Sequence, residues 1–304
     1  MALDLRPLTL AELLDRSFST YKRHIWLFVG IMAVPALFAL VYSIVLQLFQ
    51  FSNGPFPAKM TPDESFRRVL PTLIATGVFV LLYMVIYAFA LGATTIAVAH
   101  LYKNETVGVA DTYRAVRPQG WRLVLLLVWA SVRLMLAWTG ILILVGIVAA
   151  LLALLSPILS GVTFVLGMLA SLAVIALFAV RYGVCVPAAV LENLGPNAAL
   201  RRSVELTQGH RGRIFLILLC AIVITYATGA LLQGPFIVGA LVAGPGTPTA
   251  LVLSVIGAVL GTAGSTFSGP IMIIGLALAY YDLRIRKEAL DLQMMLDAID
   301  APRA

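Results

Sequence analysis

Six apolar runs, each long enough to cross a bilayer, constrain this chain more than any other feature in it. They fall at about 26–50, 70–100, 123–154, 160–190, 214–243 and 249–281. About 20 residues of helix cross about 30 Å of hydrocarbon. Inside lipid the backbone must satisfy its own hydrogen bonds, so runs of this length become helices. Apolar residues make up 61% of the chain and charged residues 12%, against about 25% charged in an ordinary soluble domain. The expected fold class is all-α: a polytopic membrane protein with six transmembrane helices, forming a single integral membrane domain over 1–304.

Short two-faced segments precede alternate runs. In Gly195–Phe215, residues Ala199, Leu200, Ser203, Val204, Leu206 and Thr207 share one side of a helix, and Arg201, Arg202, Glu205 and Gln208 the other. Asn197 is the expected N-cap, after Pro196. Thr9–Arg23 repeats the pattern with a capping box, Thr9 and Glu12, and an apolar face of Leu10, Leu13, Leu14, Ser17, Phe18 and Tyr21. Val109–Arg117 sets Val109, Thr112, Tyr113 and Val116 against Asp111, Arg114 and Arg117. Each segment reads as an amphipathic elbow at a membrane surface, followed by two apolar runs. The spacing predicts a threefold hairpin repeat with units at about 8–101, 106–192 and 195–286. Sequence identity between the units is slight, and amphipathic helices at an inner surface are common without any repeat.

The basic residues set the orientation. Of 21 Lys and Arg, only Lys59, Arg67 and Arg68 fall on the side away from the elbows, and Arg133 lies within a run. The positive-inside rule puts both termini and all three elbows in the cytoplasm, with the chain in the cytoplasmic (inner) membrane. Position thus accounts for the net charge of +7, and no nucleic-acid partner is implied. Membrane lipids are the implied surroundings, and a cytoplasmic or membrane protein is the other partner class to weigh.

The runs exceed a flat bilayer, so part of each must tilt or continue as helix packed against its neighbours. Pro35, Pro187, Pro235 and Pro270 should kink their helices, and Gln233–Pro235 and Ser268–Pro270 are the strongest candidates for local breaks. Ser254, Gly257, Gly261, Gly264 and Ser268 share one face of the sixth run, a small-residue packing seam for this chain or a second copy.

No catalytic set assembles. His24, His100 and His210 lack a second ligand at helical spacing, no acid lies inside an apolar run, and the nucleotide-binding and hydrolase signatures are missing. An enzyme is not expected, and no cofactor or metal is implied. Arg133 and Arg181 each stand about 24 residues, about 36 Å of helix, from the outer turn near residue 157. They therefore share a depth. They read either as two snorkelling interfacial arginines or as a paired site for an anionic lipid headgroup. Beyond the last run, in a cytoplasmic C-terminal helix over 284–300, Ile285, Ala289, Leu292, Leu296 and Ile299 recur at heptad spacing. That seam packs on the chain's own elbows or docks a partner.

The strings AALRRSVELTQGHRGRIF after PAAVLENLG, the opening RPLTLAELLDRSFSTYKRHIW and the close LALAYYDLRIRKEALDLQMM together resemble the prokaryotic glycerophosphoryl diester phosphodiesterase membrane domain family. The resemblance covers nearly the whole chain and implies a membrane module. In some members of that family a phosphodiesterase domain follows, whereas this chain stops about 20 residues after its last run, so no hydrolysis is implied and no catalytic residue carries over. The leading expectation is a non-enzymatic scaffold or accessory module of the membrane. The alternative is binding or transport of a lipid or amphipathic solute through an inward-facing cavity.

Overall fold

A computed structural model describes residues 8–54, 61–103 and 105–288. Within them the chain forms ten α-helices, one 3-10 turn and no strand. The elbows are α1 (Leu10–Arg23), α4 (Val109–Val116) and α8 (Pro196–Thr207). The long helices are α2 (Ile25–Ser52), α3 (Pro62–Tyr102), α5 (Gly120–Ala153), α6 (Pro157–Tyr182), α9 (Arg211–Ala243) and α10 (Pro248–Glu288), and a short α7 (Cys185–Leu191) follows α6. The 3-10 turn, Arg117–Gln119, joins α4 to α5. Six helical stretches are long and apolar enough to cross a membrane. Their outward faces carry the apolar residues that a water-soluble core would hide: Leu136 is 69% exposed, Leu151 61% and Ile158 78%.

Helix ends follow local chemistry. Thr9 and Glu12 close the capping box: the Thr9 amide donates to Glu12 Oε2 at 2.7 Å and the Glu12 amide to Thr9 Oγ1 at 3.2 Å. Elbow α8 differs from expectation. Gly195 is its N-cap and Pro196 its first residue, so Asn197 lies inside the first turn. Proline suits that first position because its missing N–H would have had no partner there. The side chain of Asn197 is thereby released for another contact.

The proline helices also correct the sequence reading. Pro235 and Pro270 both lie inside unbroken helices. The interruption falls instead in the fourth run, at Gly183–Val184 between α6 and α7. Pro187 has no N–H to return to residue 183, and its ring crowds that carbonyl.

The chain divides into two compact units. The first takes the chain up to Leu13, Gln119–Leu218 and the chain from Leu276. The second takes Leu14–Pro118 and Leu219–Gly275. The threefold hairpin spacing cuts the chain elsewhere, because α9 and α10 each give one end to one unit and the other end to the other.

In the second unit, Phe28 and Ile31 of α2, Ala90, Ala93 and Ala97 of α3, and Thr112 and Val116 of α4 are fully buried. The run of alanines lets α4 lie close on α3. Farther along this hairpin Phe79 stacks on Tyr42, ring centroids 3.8 Å apart, and on Phe38 at 5.4 Å. The small-residue seam meets α9 of the same chain. A Cβ on Gly264 would stand 2.9 Å from Leu232 Cδ1 and 3.1 Å from Thr228 Cγ2, so only hydrogen fits between the backbones.

In the first unit the core gathers Leu123 and Leu126 of α5, Ala188 of α7, Ala199, Leu200 and Leu206 of α8, Ile214 of α9, and Tyr280 and Leu283 of α10. The turn Leu154–Ser156 joins α5 to α6, and Gly167 of α6 lies against Val145 of α5.

Candidate functional site

Each elbow donates a side-chain hydroxyl to a backbone carbonyl of a proline-bearing span. Tyr113 of α4 donates to the Ile31 carbonyl at 2.8 Å. Ile31 stands four residues before Pro35, so this is the carbonyl that a proline leaves without its helical donor. Tyr21 of α1 donates to the Phe267 carbonyl at 2.7 Å, in the turn before Pro270. Ser203 of α8 donates to the Arg181 carbonyl at 2.8 Å, where α6 stops ahead of Pro187. Burial raises the Tyr21 phenol above its ordinary value, which keeps the donor protonated further into alkaline pH. A buried carbonyl without a partner costs about 1–3 kcal/mol, so the Tyr113 hydroxyl holds its elbow to a site prepared by a proline, whereas Tyr21 and Ser203 reach carbonyls three and six residues before theirs. Taken in order of the hairpins, α4 reaches the first, α8 the second and α1 the third.

A charged cluster in the first unit ties α10 to α8. Glu192 accepts Arg202 Nε on both carboxylate oxygens, at 3.1 and 2.9 Å, and the Tyr280 hydroxyl at 2.6 Å. Arg202 also pairs with Glu288, and Arg284 donates to Glu288 at 2.9 Å. The charged side chains are 17–25% exposed, sheltered enough for the pairs to matter. Burial opposes the charge on Arg202, but Glu288 and Glu192 outweigh it and hold the guanidinium above its ordinary value.

Beside it, the buried Asp282 accepts the Leu8 amide at 2.8 Å and Arg286 Nε at 2.9 Å, and forms an ion pair with Arg213 Nη2 at 3.4 Å. Arg213 Nη2 in turn donates to the Leu8 carbonyl at 2.7 Å. Lys287 Nζ donates to the Gln208 carbonyl at 2.7 Å, at the end of α8, where a cation also suits the helix dipole. The last turns of α10 are therefore fixed to α8 and to the segment leading into α1.

The two arginines singled out by depth take different local roles. Arg133 of α5 donates to Asn197 Oδ1 at 2.9 Å, the contact that Asn197 makes from inside α8. Arg181 lies in the last turn of α6; its carbonyl receives Ser203, and its Nε is buried without a protein acceptor. Both thus border α8. Of the proposed docking seam, Ile285 is buried at 8% exposure. Ala289, Leu292, Leu296 and Ile299 lie outside the described residues.

Sequence reasoning missed Tyr21, Tyr113 and Ser203 as donors, and Glu192, Tyr280 and Asp282 as acceptors or bridges. A proline four residues after a buried carbonyl was a usable signal for Ile31. The crowded charges of YYDLRIRKE were a usable signal for the cluster.

Six apolar spans with interfacial elbows define an all-helical, multi-pass membrane protein. No protein-family model, curated protein or solved structure matches the chain.

Proposed function

We propose that this chain is a non-enzymatic module of a cytoplasmic membrane that presents its basic end, and above all the segment after α10, to a protein partner. The supporting observation is the charged cluster joining Glu288 and Arg284 to Arg202 and Glu192. A helix of 41 residues extends about 62 Å, roughly twice the hydrocarbon thickness. Its end would wander without an anchor. The cluster holds it against α8, so whatever follows residue 288 starts from a defined point and direction. The proposed orientation places both termini in the cytoplasm, on the strength of the basic residues. Arg133 and Arg181, beside α8, serve in this reading as interfacial anchors to headgroup phosphates. The sequence resemblance to the glycerophosphoryl diester phosphodiesterase membrane domain family agrees with a membrane module.

The test is co-purification in mild detergent. The wild type should retain a protein partner, and the Leu292→Asp, Leu296→Asp double variant should lose it at unchanged melting temperature. Arg202→Met should weaken retention severalfold, because it frees the end of α10 without touching the segment beyond. Equal retention by all three proteins would overturn the proposal.

A further inference from the structure

The second unit holds a cavity of about 800 Å³ among the ends of α2, α3, α9 and α10. Its volume falls in the range of about 300–1,000 Å³ typical of small-molecule sites. The wall is mainly aliphatic, with Ile237 and Leu241 of α9 and Ala250 and Leu251 of α10. Ile237 is 48% exposed and Leu241 74%, so the cavity is continuous with the outward apolar face of α9. Three polar groups of the lining are engaged within the protein. Arg68 Nη2 donates to the Asn53 and Gly54 carbonyls, Asn53 Nδ2 donates to the Phe49 carbonyl at 2.8 Å, and Thr247 Oγ1 accepts the Ala250 amide at 3.1 Å. Gln47 of α2 differs. Its Nε2 donates to Ser43 Oγ at 3.1 Å, while its Oε1 is buried and accepts no hydrogen bond among the described residues.

These bonds narrow the ligand. Arg68 is committed to the end of α2, so the site makes no demand for an anion. The open valence is an acceptor, and a buried acceptor calls for a donor. An uncharged hydroxyl supplies one, whereas an ammonium would bring a charge against an apolar wall. Depth along the helices narrows it further. Gln47 lies five residues before the end of α2, Ile237 six before the end of α9, and Ser254 six after the start of α10. At 1.5 Å per residue each is within about 9 Å of its helix end. That is the boundary between headgroups and acyl chains. A molecule with a hydroxyl at that level and chains below it is a neutral glycerolipid. One open acceptor matches one hydroxyl, which favours a diacylglycerol over a monoacylglycerol. A soluble polyol would leave the aliphatic wall uncovered, and a fatty acid would set a carboxylate against an acceptor.

We propose that this cavity binds a diacylglycerol, with its free hydroxyl donating to Gln47 Oε1 and an acyl chain along Ile237, Leu241 and Leu251. The lining belongs wholly to the second unit, and its occupation does not depend on the partner-binding role proposed above.

Lipid retention by the whole chain tests it. The protein is stripped of lipid in mild detergent and offered dioleoylglycerol, the O-methyl ether of dioleoylglycerol, or dioleoyl phosphatidylglycerol. It is then re-isolated by gel filtration, and the retained lipid is counted by mass spectrometry. The wild type should keep dioleoylglycerol about fivefold better than the ether, the worth of one hydrogen bond, and better than the phosphatidylglycerol. Gln47→Leu should bring the ratio of alcohol to ether close to one while still holding lipid. Ala250→Trp fills the cavity and should remove both. Leu241→Trp, on the exposed side of the wall, should weaken both and serves where Ala250→Trp fails to fold. Glycerol, the headgroup without chains, should displace nothing. Equal retention of alcohol and ether by the wild type, an unchanged ratio in Gln47→Leu, or full retention by the folded tryptophan variants would each overturn the proposal. Preferred retention of phosphatidylglycerol would overturn it in favour of a charged phospholipid, and displacement by glycerol in favour of a soluble polyol.

Discussion

Removing the Tyr113 hydroxyl should hurt only as long as Pro35 is present. In the native chain the Ile31 carbonyl receives Tyr113 at 2.8 Å and can receive nothing from residue 35, which has no N–H. Tyr113→Phe deletes one oxygen and leaves the ring and its packing in place. Interhelical hydrogen bonds in membrane proteins average about 0.6 kcal/mol and reach about 1.7. This one belongs near the top of that range, because its loss leaves the fully buried Ile31 with an unpaired carbonyl. We expect a cost of about 1.5–2 kcal/mol. In a Pro35→Ala background residue 35 regains its N–H and serves the same carbonyl. Tyr113 then binds only a second lone pair, and its loss should cost about 0.5 kcal/mol. The double-mutant cycle should therefore show a coupling of about 1 kcal/mol. Thermal unfolding of the four proteins in one detergent measures it, with 1 kcal/mol corresponding to about 2–4 °C for a chain of 150–250 residues, and somewhat less here. Amide exchange supplies a second readout: in Pro35→Ala the new residue-35 amide should be protected. Equal Tyr113→Phe costs in the two backgrounds, within the usual additivity error of about 0.3–0.5 kcal/mol, would refute the account of proline and hydroxyl as one device.

Three further outcomes follow from the same structure. A Cβ on Gly167 would stand 2.6 Å from Val145 Cγ2 and closer still to Cγ1, and valine is too stiff to yield; Gly167→Ala should cost about 1–3 kcal/mol, and Val145→Ala in the same chain should restore most of it, as read by melting temperature. With Cys185 and Cys220 replaced by alanine, Thr249→Cys should react with an impermeant thiol reagent added outside cells and Gln208→Cys should not, since basic residues crowd the Gln208 end. The reverse pattern would invert the proposed topology. Arg202 adds no pH sensitivity near neutrality: a guanidinium held above its ordinary value gives its full stabilisation below that value and loses it only at strongly alkaline pH.

Hydropathy and periodicity made much of this protein legible in the amino-acid order alone. Six spans, three elbows and the Thr9–Glu12 cap all depend on neighbours within a turn or a run, so local order determines them. The buried face of α8 was legible for the same reason: Ala199, Leu200, Ser203, Leu206 and Thr207 are buried, as their 100° spacing requires. What the sequence could not decide were pairings across long separations. Nothing local shows that Tyr113 meets Ile31, that Tyr21 meets Phe267, or that Glu192 gathers Arg202 and Tyr280. Proline marks where a carbonyl is freed, but only tertiary packing determines which donor reaches it. The same packing released Asn197 from capping to bind Arg133, kept α9 and α10 unbroken through Pro235 and Pro270, and placed an interruption at Gly183, where a helix end could be completed by Ser203 of the neighbouring elbow.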